Sequence, residues 1–239
     1  QLWNNFADLN AVPRPSKKEE RVIAFIKNFG KNLGLETFED ETRNVIIRKP
    51  ASPGMENRQP IVLQSHLDMV HQKNAETSFD FEKQGIEMFV DSDWVKAKGT
   101  TLGADNGIGV ATIMTLLASK EIPHPAFDAL FTIDEETGMT GALGLKSGVL
   151  KGEILLNLDT EEDDELDIGC AGGLDVTATR TYNEELTPAG STAYKVNVKG
   201  LNGGHSGIEI HKGLGNANKI MNRLLFDGYK NFGLQIAEL

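Results

Sequence analysis

Pro60-Ile61-Val62-Leu63-Gln64-Ser65-His66-Leu67-Asp68 is the stretch whose reading decides the fold. An apolar run of strand length ends there, and a His and an Asp follow directly. Two later runs end in the same way: residues 129–133 before Asp134-Glu135-Glu136, and residues 153–157 before Leu158-Asp159. Runs this short, bounded by polar or turn residues, read as buried strands rather than helices. Between the first and second of them, Gly103-Ala104-Asp105-Asn106-Gly107 opens an apolar helix predicted over 106–119. Alternating strands and helices predict an α/β sheet with helices on both faces. The polar groups then fall at the carboxyl ends of strands, where open α/β sheets bind ligands.

The same alternation extends outward from this stretch. Ser16-Lys17-Lys18-Glu19 reads as a capping box before Val22, Ile23, Ile26, Phe29 and Leu33 at helical spacing, with Gly34 as the stop. Short strands are expected at 35–39 and 44–48, a hairpin at 86–90 and 94–97, and a short helix at 141–146. Beyond the acidic stretch 161–167, read as a solvated loop, the pattern changes to alternating strands at 174–181 and 193–199. A helix at 214–226 and a strand near 232–237 complete an α+β arrangement. The chain therefore divides into a first domain at 1–172 and a second at 173–239, which stops in mid-course at Leu239.

A chain of 239 residues with 39% hydrophobic residues can bury a sizeable core. Its net charge of −11 argues against nucleic acid or an anionic membrane surface as partner. No run approaches the ~18 apolar residues of a membrane-spanning helix, and the start, Gln1-Leu2-Trp3, shows neither the basic nor the apolar region of a secretory signal. A single cysteine, Cys170, excludes an intrachain disulfide and fits a reducing, cytoplasmic location.

Acidic side chains gathered on one sheet edge repel each other unless a cation neutralises them. One His with several carboxylates is a ligand set for divalent metal, and the Glu135-Glu136 pair leaves a spare carboxylate for proton transfer. In an extended chain His66 and Asp68 face one side, so His66 can bind metal while Asp68 fixes its ring. Taken singly, H-x-D is as well read as a surface turn, Asp105 as an N-cap, and the acidic triplet as a solvated turn. Gly203-Gly204-His205-Ser206-Gly207 presents His205 on a glycine-flanked loop suited to touching a substrate oxygen, with a plain turn as the equal alternative. His71, His124 and His211 are read as structural or solvent-exposed, and Cys170 has no basic neighbour that would activate it.

Taken in order, H-x-D, G-x-D-N-G, D-E-E-T-G, N-L-D-T and G-G-H-S-G resemble the M20 family of dinuclear metallopeptidases. That resemblance implies a mixed-sheet catalytic domain at 1–172 with an inserted α+β lid domain from 173, incomplete here. It implies two divalent metal ions, Zn²⁺ first with Mn²⁺ or Co²⁺ as alternatives. One metal would be held by His66, Asp105 and Asp159, and Asp105 would bridge to a second held by Glu136. A further His ligand would lie beyond Leu239. Glu135 would be the general base acting on a metal-bridging water, Asp68 would orient His66, and His205 would polarise the scissile carbonyl. The Asp105–Asn106 peptide is expected to be cis. The implied activity is hydrolysis of dipeptides with a free amino terminus, Xaa-His dipeptides included, by a homodimer formed through the lid. A deacylase or carboxypeptidase of the same fold, or a non-catalytic fragment, are the alternatives.

Overall fold

The computed structural model describes residues 1–160, 164–170, 172–205, 207 and 209–238. Its contacts divide it into two compact units, Gln1–Cys170 and Ala171–Leu239. In chain order the first unit runs α1 (Leu2–Asn10), α2 (Glu20–Asn32), β1 (Glu36–Glu39), β2 (Val45–Lys49), β3 (Ile61–His66), β4 (Met88–Asp91) and β5 (Trp94–Ala97). It continues with α3 (Ala104–Ala118), β6 (Phe127–Thr132), α4 (Thr140–Gly144) and β7 (Ile154–Asn157).

Five strands form one mixed sheet in the order β1-β2-β6-β3-β7. All six residues of β6 are buried, as befits the central strand. It pairs antiparallel with β2 and parallel with β3, and β3 in turn pairs parallel with β7. His66 sits opposite Thr132, and Gln64 opposite Asn157. The three parallel strands therefore finish together, which places His66, Asp134-Glu135-Glu136 and Asp159 along one edge. β4 and β5 form the separate hairpin expected from the sequence.

Alternation along the strands separates two cores. Val45, Ile47, Leu63, Ala129 and Phe131 pack with Val22, Ile23 and Ile26 of α2, Val110, Ile113, Met114 and Leu117 of α3, and Leu9 of α1. Ile46, Val62 and Leu130 form the core of the other face with Phe38, Leu145, Val149 and Leu150. The three long helices share one face, and the short α4 with the segment after it covers the other, so helices lie on both faces but unequally. Leu145, extended at ψ 124, ends α4, and Gly148 at φ +79 then turns the segment.

The sequence reading assigned no element to residues 2–10, although Leu2, Phe6 and Leu9 are spaced to share a helical face. Phe6 and Leu9 are buried in α1, and Asn5 Nδ2 donates to Thr115 Oγ1 of α3 at 2.9 Å. The capping box also needs correcting. α2 begins at Glu20 without a side-chain cap, because Ser16 and Glu19 are engaged elsewhere. Ser16 Oγ donates to Asp68 Oδ2 at 2.8 Å, and Glu19 Oε1 accepts from the amides of Lys17 and Asp134. Gly34 lies beyond the helix at φ +72, as its role as a stop requires.

The second unit holds a 3₁₀ turn at Ile210–Lys212 and α5 (Ala217–Phe232). Asn216 Oδ1 caps α5 by accepting from Lys219 N at 2.9 Å, and Gly233 ends it at φ +66. α5 runs on into the residues expected to start a final strand. The strands expected at 174–181 and 193–199 form no ladder among the described residues. An alternating pattern becomes a strand only where a neighbour supplies backbone partners. Of the acidic run expected as a loop, residues 161–163 lie outside the described residues.

Candidate metal centre

His66, the last residue of β3, is fully buried. Its Nδ1 lies 3.1 Å from the backbone oxygen of Asp68 and 3.3 Å from Asp68 Oδ1. Both neighbours are acceptors, so Nδ1 carries hydrogen and the ring is turned with Nε2 toward the other carboxylates. Nε2 lies 3.0 Å from Asp105 Oδ1, 3.6 Å from Asp159 Oδ1 and 3.9 Å from Glu135 Oε2.

Each carboxylate is delivered by a distinct local feature. Asp105 follows Gly103, which sits in the left-handed region at φ +73, and the Asp105–Asn106 peptide is cis. Asp105 and Asn106 have non-helical backbone angles at the head of α3, so Asp105 projects from a turn rather than a regular helix. Asp159 is held by Asn106, whose Nδ2 donates to Asp159 Oδ1 at 2.5 Å and to Leu158 O at 2.7 Å. Gly109 leaves room behind this contact. A Cβ there would lie 2.7 Å from Leu158 O and collide with Asn106 Oδ1 and Ser65 Oγ.

Of the three consecutive acids, Asp134 serves the turn itself. It is buried at φ +53 and accepts from the hydroxyls of Thr137 and Thr140. Glu135 and Glu136 are left to face the cluster. Their backbone amides donate to Asp68 Oδ1 and Oδ2 at 3.0 and 3.2 Å. Asp68 therefore does more than orient His66, because it also fixes the turn that presents both glutamates. Ser16, Glu19 and Asn106 are supporting residues that sequence reasoning missed. The only signal was the Ser16/Glu19 pair, which was spent on a helix cap.

Electrostatics follow from this crowding. Burial alone would lower the His66 pKa, yet hydrogen bonds to Asp105, Asp159 and Asp68 push it up to about 12. Burial would raise Asp68, but bonds from His66, the Glu135 amide and Ser16 hold it at about 2. Burial, then repulsion from Asp105, raises Glu136 to about 7. Glu135 is raised by burial and by the charges of Asp159, Asp68 and Asp105, offset in part by His66. Asp159 is lowered, its burial outweighed by hydrogen bonds from His66 and Asn106. The cluster thus has a strong demand for positive charge.

Two groups of potential ligand atoms emerge, His66–Glu135–Asp159 and His66–Asp105–Glu136, each with its atoms within 4.8 Å of one another. They share His66 and no carboxylate. One imidazole with several carboxylates is a donor set that suits Zn²⁺, Mn²⁺ or Co²⁺. The residues present fit divalent cations. A third acidic group, Glu19–Asp68–Asp134, is fully buried behind them. His205 lies in the second unit, where its backbone N–H donates to Glu209 Oε2 at 2.8 Å and its Nδ1 accepts from Gly207 N at 3.1 Å. Ser206 of the same motif lies outside the described residues. His124 Nδ1 lies 2.8 Å from Pro125 O, and His71 packs edge-on against Phe81.

Fold and cluster together define the class: an α/β domain with a candidate divalent-cation centre at the carboxyl edge of its parallel strands. No family model matches the chain. It is 47% identical over 237 residues to the cytosol non-specific dipeptidase of Escherichia coli (strain K12), an alignment covering 99% of this chain and 49% of that protein. The crystal structure of aminoacylhistidine dipeptidase from Vibrio alginolyticus is 46% identical with a TM-score of 0.71, covering 99% of this chain and 48% of that one. Aminopeptidase PepT from Bacillus cereus ATCC 10987 is 28% identical with a TM-score of 0.56, over 67% of this chain and 43% of that one. The chain is homologous to these peptidases over the aligned part of their length. It spans about half the length of the curated relatives it matches.

Proposed function

We propose that the protein hydrolyses dipeptides with a free amino terminus, Xaa-His dipeptides included, using two divalent metal ions, Zn²⁺ first. The observation that carries this reading is the joint anchoring of Glu135 and Glu136 on Asp68, which sets two carboxylates beside the buried His66. The names of the dipeptidase relatives give the substrate class.

His66, Asp105, Glu136 and Asp159 would hold the metals, which when bound polarise the scissile carbonyl and acidify an attacking water. Glu135 is the general base. Its raised pKa suits it to take a proton from water at Oε2 and to return that proton to the leaving amine. The water oxygen joins the carbonyl carbon, and the C–N bond breaks as the amine nitrogen receives the proton. Asp68 keeps the His66 ring aligned throughout. His205, carried by a lid at 173–239 distinct from the catalytic domain at 1–172, is assigned the role of polarising the carbonyl oxygen. The protein acts in the cytoplasm as a homodimer formed through the lid. No described helix is long and apolar enough to cross a membrane, which is compatible with that location.

Assaying the Zn²⁺-loaded full-length protein against Xaa-His dipeptides and N-acyl amino acids tests the substrate class. Dipeptide turnover is expected to dominate. Preferential release of amino acid from the N-acyl compounds would replace this reading with a deacylase.

A further inference from the structure

Arg14 lies between α1 and α2 and is 1% exposed. A buried guanidinium must place its N–H donors, and here they reach across the fold. Nη1 donates to Leu67 O at 3.0 Å and Asp68 O at 3.1 Å. Nη2 donates to Asn10 Oδ1 at 3.0 Å and Gly103 O at 2.5 Å. Every one of these acceptors is a carbonyl oxygen. Three are backbone oxygens of the two segments that present His66 with Asp68 and Asp105.

We infer that Arg14 is a positioning residue: its fork staples the His66-Leu67-Asp68 segment to the Gly103-Ala104-Asp105 turn and so presets the spacing of ligands from different elements. This inference rests on the metal centre proposed above. A second observation supports it independently. A Cβ at Gly103 would lie 2.5 Å from Arg14 Nη2, and one at Gly107 would lie 2.7 Å from the same atom. Two glycines of the G-x-D-N-G motif thus make room for the guanidinium.

Charge and geometry predict opposite effects. A fixed positive charge behind a cation site repels cations, so if charge were the whole role, removing it would tighten metal binding. If stapling dominates, removing the fork loosens Asp105 against His66 and weakens binding. Lys keeps the charge but cannot fork to both segments.

The test uses the metal-stripped full-length protein, with Zn²⁺ affinity read by calorimetry and the Co²⁺ absorption spectrum as a reporter of ligand geometry. Arg14→Lys and Arg14→Met are expected to bind Zn²⁺ at least about tenfold more weakly than wild type, the scale for residues that orient ligands. Both should show an altered Co²⁺ spectrum. Wild-type affinity and spectrum in Arg14→Lys, or tighter binding in Arg14→Met, would overturn the inference. Should both variants fail to fold, Asn10→Ala removes one Nη2 partner and is expected to weaken Zn²⁺ about threefold, the scale of one lost hydrogen bond. Unchanged affinity in Asn10→Ala would also overturn it. A wild-type protein that binds no metal would instead refute the proposed centre, and the staple with it.

Discussion

Asp68→Asn probes the site most sharply, because four groups converge on that carboxylate. Oδ1 accepts from the Glu135 amide at 3.0 Å and faces His66 Nδ1 at 3.3 Å. Oδ2 accepts from Ser16 Oγ at 2.8 Å and from the Glu136 amide at 3.2 Å. An amide offers only one acceptor oxygen. With its NH₂ in the place of Oδ1, it would confront two N–H donors. In the place of Oδ2, the Ser16 hydroxyl can turn to accept, and only the Glu136 amide is left facing a donor. The second orientation should win, so Glu136 loses its anchor first. A hydrogen bond to a charged group contributes about 1.5–3 kcal/mol, and one is lost while the others lose their ionic partner. Stability should therefore fall by about 2–3 kcal/mol, and metal affinity by roughly 10–100-fold. Denaturant melts and Zn²⁺ titrations of the full-length variant measure both. Wild-type affinity with wild-type stability would refute the claim that Asp68 anchors the glutamate turn.

Other outcomes follow from the same contacts. Gly109→Ala must push against the backbone oxygen of Leu158, and overpacking of this kind costs about 1–3 kcal/mol; a lowered melting temperature with weakened metal binding is expected, and an unchanged melt would show that the contact yields freely. Glu39 is held below its ordinary pKa by its hydrogen bond to Lys27, aided by Arg43. Its stabilisation is thus present above the unfolded carboxylate range and lost as the pH falls through the lowered folded value, so Glu39→Gln should cost under about 1 kcal/mol at pH 7 and nothing once that value is passed. Equal costs in denaturant melts at both pH values would contradict this. His205→Ala should lower kcat about 10²–10³-fold in the full-length protein while leaving metal content unchanged; unaltered kcat would remove His205 from the reaction.

Most of the fold was legible because apolar runs of strand length are unambiguous when each ends in a polar residue. β3, β6 and β7 all lie within a few residues of their expected positions. The site was legible for the same reason, since parallel strands in register bring His66, Glu135, Glu136 and Asp159 to one edge without further information. What failed was local chemistry that serves a distant partner. Ser16 and Glu19 have the spacing of a capping box, but Asp68 and the Asp134 turn compete for them more strongly than the helix end does. Arg14 carried no signal, because its acceptors lie 53, 54 and 89 residues along the chain. The grouping of ligands is equally invisible to spacing. Distances add what spacing cannot: His66 Nε2 has Asp105 and Asp159, the partners the family resemblance implies, at 3.0 and 3.6 Å, with Glu135 at 3.9 Å.

The central claim is that this cluster holds two divalent cations while Glu135 moves the proton. Glu135→Gln in the full-length protein tests it most directly, with bound Zn²⁺ and Xaa-His dipeptide turnover measured on the same preparation. The expected result is two equivalents of Zn²⁺ retained, with turnover reduced by about 10²–10⁴-fold. Turnover near wild type, or loss of a metal equivalent together with activity, would contradict the account and make Glu135 a ligand or a bystander rather than the base.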